Sequence, residues 1–278
     1  MPRKKIYFNS CFTREYAPWA NIYTTTLNAI MMSGDHCELS AHNCSERELE
    51  GLPNFTANIL LNNMFESDDS MAKKIGCSVD QLREWRVQIK NDHVTDESAK
   101  YKVYISVMKR YRSLSKVWEN AKKKQTDFLL HSDIDVYFNS IEFVNKIPES
   151  ASIACYKRDM DRTKAGLPLG AFIIIRTSSG GESFVRRWME KIDEFEKRGL
   201  KRGDGQVILR DVIQQSEPNE IFDLCKLDKA KFSKTFDESA AIWLTSNNKL
   251  HRGDSGMVTA REIVRRRQQE NGINQISE

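Results

Sequence analysis

The chain has 278 residues and a mass of 32.2 kDa, a length that suits one α/β domain or one domain with an appendage. Its 43 basic and 39 acidic residues give a net charge of +4, too balanced to indicate a nucleic-acid-binding protein. The six cysteines form no CxxC pair, and the longest apolar run, residues 169–175, is far too short for a membrane span. We expect reduced thiols, no signal peptide and a soluble, cytoplasmic protein.

The first hundred residues predict a βαβ unit followed by a segment without a clear pattern. Residues 5–9 predict a strand, a helix opened by Pro18 keeps its apolar residues at helical spacing, and residues 37–42 predict a second strand. Such a unit favours a parallel sheet with ligands at the carboxyl ends of its strands. Residues 44–97 contain short amphipathic pieces between polar turns, which we interpret as a helical insertion.

The clearest helix covers residues 100–120, where apolar residues form a continuous stripe. Its other face is basic, and either it is simply solvated or Lys109 or Arg112 contacts a phosphate or a sugar. The basic residues of this face are Lys102, Lys109, Arg110, Arg112 and Lys116.

The basic helix leads into residues 127–139, DFLLHSDIDVYFN, which predict a short buried strand ending at Asp133 and Asp135. Carboxylates two residues apart in an extended chain point the same way. One divalent cation, or one phosphate-bearing ligand, could therefore face both aspartates.

The second half of the chain alternates strand and helix patterns. Apolar runs at residues 152–156, 170–175 and 241–245 predict strands, and amphipathic spacing at 182–195 predicts a helix. A further helix begins at Gly203-Asp-Gly-Gln. Beyond the last strand lie His251-Arg-Gly-Asp-Ser-Gly and a basic tail ending in Arg265-Arg-Arg.

Taken in order, these pieces resemble a nucleotide-sugar glycosyltransferase of the GT-A superfamily. The matching motifs are the βαβ start, the basic helix before Asp133-Ile-Asp135, the Gly-apolar strand ending in Arg176-Thr177, the helix containing Trp188, the DGQ helix start and the late histidine. The resemblance implies an α/β fold with a Rossmann-related, mixed, mostly parallel sheet flanked by helices. We expect one catalytic domain over residues 1–256, with the helical insertion at about 44–97, and a basic C-terminal helix or tail over 257–278.

The resemblance also implies a function and a metal. The enzyme would move a sugar from a UDP or GDP sugar to a hydroxyl acceptor on a glycan or protein-linked glycan, with Mn²⁺ or Mg²⁺ stabilising the departing diphosphate. Asp135 would bind the metal directly, His251 would complete its shell, and Asp133 would contact the donor or reach the metal through water. The other donor-binding residues implied are Asn9 and Ser10, against the base and ribose, and Arg112, Lys249 and Arg252, near the phosphates.

Asp204 and Gln206 resemble an element that lies beside the sugar and the acceptor in similar enzymes. In an inverting enzyme a carboxylate here would accept the proton of the acceptor hydroxyl, which is a poor nucleophile until that proton is removed. Gly205 departs from the commonest spacing of the element. The alternative is that Asp204 simply caps a helix.

Two other functions fit parts of the sequence. A haloacid-dehalogenase-like phosphatase would use Asp133 and Asp135, Thr177 and residues 203–205, but it needs an apolar strand before residue 203, where the sequence reads EKRGLKR. A non-catalytic module would bind a nucleotide sugar, or nucleic acid through the basic faces at 100–124 and 261–267. Aromatic residues do not interleave with those charges, so we expect no nucleic-acid partner. The basic tail is a solvated surface or a peripheral membrane contact.

Overall fold

The structure is a computed structural model that describes residues 3–50, 52, 58–90, 93, 95–157, 170, 172–201, 204–233, 240–244 and 262. In that part of the chain, seven strands form a main sheet and three short strands form a second one. The strands are β1 (Ile6–Thr13), β2 (His36–His42), β3 (Ile59–Met64), β4 (Phe128–Ser132), β5 (Val136–Phe138), β6 (Ile153–Cys155), β7 (Phe172–Arg176), β8 (Ile221–Asp223), β9 (Phe232–Ser233) and β10 (Ile242–Leu244).

The main sheet has the order β3-β2-β1-β4-β7-β6-β8. All neighbouring pairs are parallel except those of β7, which runs antiparallel to both β4 and β6. The second sheet joins β5, β10 and β9. The predicted α/β class with a mixed, mostly parallel sheet is therefore confirmed.

Helices cover both faces of the main sheet, because alternate residues of its buried strands point to opposite sides. Ile6 and Phe8 pack with α1 on one face, whereas Tyr7 and Leu129 pack with α6, α7 and α8 on the other. No helix among the described residues is both long and apolar enough to cross a membrane. The helices are α1 (Ala17–Ile30), α2 (Glu46–Glu50), α3 (Asp68–Ile75), α4 (Val79–Lys90), α5 (Ala99–Val103), α6 (Arg112–Lys123), α7 (Ser179–Lys197) and α8 (Asp204–Gln214).

The segment predicted as a helical insertion, at about 44–97, is only partly helical. It supplies β3, which pairs with β2 at the edge of the main sheet, so the interpretation was wrong for residues 59–64. The strand is hard to recognise because Leu60 and Asn63 are exposed and the apolar run is short. The helical part, α3 and α4, packs in a separate small core against Tyr101 and Tyr104.

The helix predicted at residues 100–120 contains an irregular middle. Between α5 and α6 the chain forms a π-helix, Tyr104–Tyr111, so the helical region is continuous from residue 99 to 123. π-Helical turns are rare and occur frequently at functional sites. Here the irregular turns carry Lys109 and Arg110 towards side chains at the carboxyl ends of β2, β3 and β4.

Candidate active site

The candidate site lies where the connections of the main sheet change direction. From β1 the chain passes outward to β2 and β3 on one side, and then returns through the π-helix to β4 on the other side of β1. In open α/β sheets, ligands bind in the crevice outside the carboxyl ends of the strands at such a switch point. The residues that follow β4, beginning with Asp133, lie at this edge.

Asp133 and Asp135 do not lie on an extended strand as predicted. The β4 strand ends at Ser132, and Val136 N donates to Asp133 O at 3.3 Å, so the chain turns between the aspartates. The physical reason is that the next strand, β5, leaves the main sheet to pair antiparallel with β10. The Asp133 side chain is 32 % exposed, whereas Asp135 is buried.

Arg110 is a largely buried cation that pairs with the first residue of this turn. Its Nη1 pairs with Asp133, its Nη2 donates to Gly170 O at 3.4 Å, and its Nε donates to His131 Nε2 at 2.8 Å. Burial alone would lower the pKa of Arg110, but the negative charge of Asp133, with a smaller contribution from Asp135, raises it above its ordinary value. The guanidinium is therefore a permanent positive charge, and its side chain is only 13 % exposed.

His131 connects Arg110 to the sheet. Its Nδ1 lies 2.6 Å from Asn9 Oδ1, and Asn9 Nδ2 donates to Glu38 O at 3.0 Å. Burial, and secondly the charge of Arg110, lower the pKa of His131 well below its ordinary value, so the ring is neutral. Sequence reasoning missed His131, although side-chain alternation along β4 places it on the same face as Leu129, which packs against the helix that carries Arg110.

Asn9 and Ser10, predicted to contact the base and ribose, are buried and bonded within the protein. Asn9 uses both ends of its amide, with Glu38 and His131, and Ser10 Oγ donates to Ser132 O at 2.8 Å. These bonds tie β1 to β2 and β4. The geometry thus gives both side chains a supporting role beneath the crevice.

Asp204 is the first residue of α8 and is also bonded within the protein. Its Oδ2 accepts from the Lys201 backbone N–H at 2.6 Å, and its Oδ1 accepts from Arg198 Nη2 at 3.1 Å. The residue is buried. The bond to Lys201 runs back to a residue before the helix, as that of the third residue of a capping box does, whereas the predicted N-cap side chain would accept from an N–H after it.

Gln206 is exposed and lies near Gly170, whose carbonyl oxygen accepts a hydrogen bond from Arg110. A Cβ built at Gly170 would come within 3.5 Å of Gln206 Cγ and 3.2 Å of the Tyr111 hydroxyl, and Gly170 O is the acceptor for Arg110. Gly205 has a steric reason to be glycine, because a Cβ there would lie 2.9 Å from Tyr111 Cε2. The first turn of α8 therefore presses directly on the π-helix.

The remaining predicted site residues lie elsewhere or outside the described residues. Arg112 pairs with Asp193 at 2.8 Å and Glu196 at 2.5 Å on the surface of α7. Arg110, and not Arg112, thus pairs with Asp133. The predictions for Lys249, His251 and Arg252, and for the tail at 257–278 apart from residue 262, fall outside the described residues.

The chemistry of the aspartates fits the implied metal. Mg²⁺ and Mn²⁺ prefer oxygen ligands, and Mg²⁺ at phosphate sites is usually held by one or two carboxylates together with water and phosphate oxygens. No group of three or more His, Cys, Asp or Glu residues that could hold a metal ion occurs among the described residues.

No protein-family model matches the chain, and no curated protein matches it in sequence. Its function therefore has to be argued from the site itself.

Proposed function

We propose that the protein is a metal-dependent glycosyltransferase that moves a sugar from a nucleotide-diphosphate sugar to a hydroxyl acceptor. The observation that carries the proposal is that the buried Arg110 forms an ion pair with Asp133 at the carboxyl edge of β4, two residues before Asp135. This is the position at which an α/β sheet of this connectivity binds its ligand. The mixed, mostly parallel sheet agrees with the fold that the GT-A resemblance implies.

The charges at the edge suit a leaving diphosphate. Arg110 presents a planar, always protonated guanidinium, a group that matches phosphate oxygens through two parallel hydrogen bonds. Asp135, with Asp133, would hold Mn²⁺ or Mg²⁺, which when bound neutralises the negative charge that develops on the diphosphate. Asp133 also pairs with Arg110, so its carboxylate would orient the cation as well as contribute to the metal site.

The acceptor side of the site is formed by the start of α8. Gln206 is exposed near Gly170 and can hydrogen-bond a sugar or acceptor hydroxyl, but an amide cannot take up a proton. The role of Asp204 as the acceptor base stays a prediction. Both oxygens of its carboxylate already accept hydrogen bonds, so it would first have to release Arg198 or the Lys201 N–H before it could accept a proton from the acceptor hydroxyl.

The phosphatase alternative finds less support at the same residues. It needs a strand immediately before residue 203, but residues 198–201 form no strand and α8 begins at Asp204. It also gives no role to β1, an inner strand of the sheet that supplies Asn9 as the partner of His131.

The proposal is tested by melting the protein with UDP-sugars and GDP-sugars, with and without Mn²⁺, and by assaying release of the free nucleotide. A ligand at about 100 times its Kd stabilises the native state by about 2.7 kcal/mol, so we expect a metal-dependent rise in Tm followed by slow hydrolysis of the sugar. Asp135→Asn should abolish both effects. Asp193→Asn, on the surface of α7, is the matched control and should behave as the parent protein.

The outcomes separate the candidate functions. A rise in Tm without any turnover, with or without added acceptor alcohols, would favour the non-catalytic binding module. Phosphate release from a simple phosphate ester would favour the phosphatase. No rise with any nucleotide in the presence of Mn²⁺ would overturn the transferase proposal.

A further inference from the structure

The orientation of the Arg110 side chain is set by His131, a buried residue of the sheet that need not contact a ligand itself. An arginine side chain normally has many rotamers, and fixing one is costly in entropy. Here Nε is held by His131 Nε2 at 2.8 Å, so the plane of the guanidinium is defined by the ring. The two remaining nitrogens, Nη1 and Nη2, each use one N–H with Asp133 and Gly170 O and each have a second N–H that could reach a ligand.

The hydrogen bond from Arg110 determines which nitrogen of His131 carries the proton. A guanidinium only donates, so His131 Nε2 must be the acceptor and Nδ1 must carry the proton. Asn9 Oδ1, 2.6 Å from Nδ1, accepts that proton's hydrogen bond. The Asn9 amide is itself oriented, because its Nδ2 donates to Glu38 O at 3.0 Å.

If position 131 only had to fill the core, an apolar residue would cost less free energy to bury than histidine does. His131 is fully buried on a central strand whose other members include Leu129 and Leu130, and burying a polar ring is unfavourable unless its partners are satisfied. What an imidazole adds at this position, and leucine cannot, is an acceptor for Arg110. Asn9 then satisfies the other nitrogen.

We propose that His131, oriented by Asn9, is a positioning residue that fixes the Arg110 guanidinium as the permanent cation of the site, directed at the diphosphate of the donor. This inference rests on the proposed transferase function. It adds to that function the way in which the diphosphate is recognised. His131 orients the Nη1 and Nη2 atoms of Arg110 before any ligand binds, which lowers the entropy lost on binding.

Two substitutions at His131 distinguish a role in orienting Arg110 from a role in packing the core. His131→Gln can keep both contacts, with Oε1 accepting from Arg110 and Nε2 donating to Asn9, whereas His131→Leu keeps apolar volume and removes both. Calorimetry with Mn²⁺ would compare UDP with uridine, and GDP with guanosine. We expect His131→Leu to weaken diphosphate binding about tenfold and leave nucleoside binding unchanged, and His131→Gln to remain close to the parent protein.

A double-mutant cycle with Arg110→Ala tests the pathway. Because His131 is proposed to act only through Arg110, His131→Leu should cause no further loss of UDP or GDP binding once Arg110 is alanine. Equal losses for nucleoside and nucleotide, or multiplicative losses in the double variant, would overturn the inference.

A spectroscopic measurement decides the inference even if no nucleotide binds. Nitrogen-15 spectra of the protein labelled at histidine and arginine should show His131 as the Nδ1–H tautomer with a protected Arg110 Nε–H, and Asn9→Leu should remove that protection. If these signals appear while no nucleotide binds, the transferase proposal fails and the positioning of Arg110 stands. The opposite tautomer, or an unprotected Arg110 Nε–H in the parent protein, overturns the positioning itself.

Discussion

Arg110, on the π-helix, forms an ion pair with Asp133, the first residue after β4. The two partners are unequally buried, since the side chain of Arg110 is 13 % exposed and that of Asp133 is 32 % exposed. A charge that is removed from water depends on its partners far more than one at the surface does. The ion pair therefore connects the π-helix to the edge of the main sheet, and Arg110 depends on the pair more than Asp133 does.

Replacing Arg110 should affect both stability and ligand binding. Arg110→Ala leaves His131 Nε2 without its donor and Asp133 without its cation, which should lower the free energy of unfolding by about 1–3 kcal/mol in urea titrations. Arg110→Lys keeps the charge but loses the planar fork, so it should also weaken binding of a nucleotide diphosphate.

Arg112→Ala is the control for this prediction, because it removes a neighbouring arginine whose ion pairs, with Asp193 and Glu196, lie on the surface of α7. We expect a loss below about 1 kcal/mol and unchanged nucleotide binding. If Arg112→Ala proves more damaging to binding than Arg110→Ala, the assignment of Arg110 to the site is wrong.

Two fully buried tryptophans offer a measurement of one buried hydrogen bond. Trp118 and Trp188 are both fully buried, but Trp118 Nε1 donates to Arg176 O at 3.0 Å, whereas Trp188 Nε1 has no hydrogen-bond acceptor among the described residues. Trp118→Phe should therefore destabilise the protein by about 1 kcal/mol more than Trp188→Phe does.

Chemical denaturation of the two tryptophan variants under identical conditions checks this difference. Both substitutions remove a similar ring volume, so the cavity contributions largely cancel. The Trp188 ring packs edge-on against Tyr111 and Phe184, with centroids 5.2 and 5.5 Å apart. Equal losses of unfolding free energy in the two variants would show that the Trp118 hydrogen bond makes no net contribution to stability.

The sequence was sufficient for elements that have strong local periodicity. The first βαβ unit, the helical region around residue 110, β4, β7, α7 and the start of α8 all follow from apolar spacing and turn residues. β3 was missed because an exposed edge strand buries only some of its residues. The network at Arg110 was missed because it joins positions 9, 110 and 131, and such contacts depend on strand pairing, which periodicity along the chain does not report.

Gly205 illustrates how packing explains a residue that looked anomalous as a motif position. Gly205→Ala would place a methyl group 2.9 Å from Tyr111 Cε2, and Tyr111 is buried between Trp188 and His131. Alanine is the better helix former, but overpacking a tight contact costs about 1–3 kcal/mol. We expect a net fall in Tm, with altered ligand binding because Gly170 and Gln206 lie at the same contact. A rise in Tm would show that the ring moves freely.

Glu66 should make the stability of the β3 edge depend on pH. Burial alone would raise the pKa of its carboxyl, but hydrogen bonds from four donors outweigh burial and lower the pKa to about 2. The donors are Lys109, Lys74, Ser70 and Tyr104. Because the pKa is lower in the folded than in the unfolded protein, the stabilisation is complete above the ordinary pKa of a glutamate and is lost as the pH falls towards 2.

Glu66→Gln should therefore cost about 1–2 kcal/mol at neutral pH, allowing for solvent screening, and almost nothing near pH 2. The measurement is the free energy of unfolding between pH 7 and pH 2 for the variant and the parent protein. Glu119→Gln, at an exposed position on α6, serves as the matched control and should follow the parent profile. The interpretation fails if the difference between Glu66→Gln and the parent protein stays constant across this range, because the ion pair with Lys109 would then contribute nothing that depends on the charge of the carboxylate.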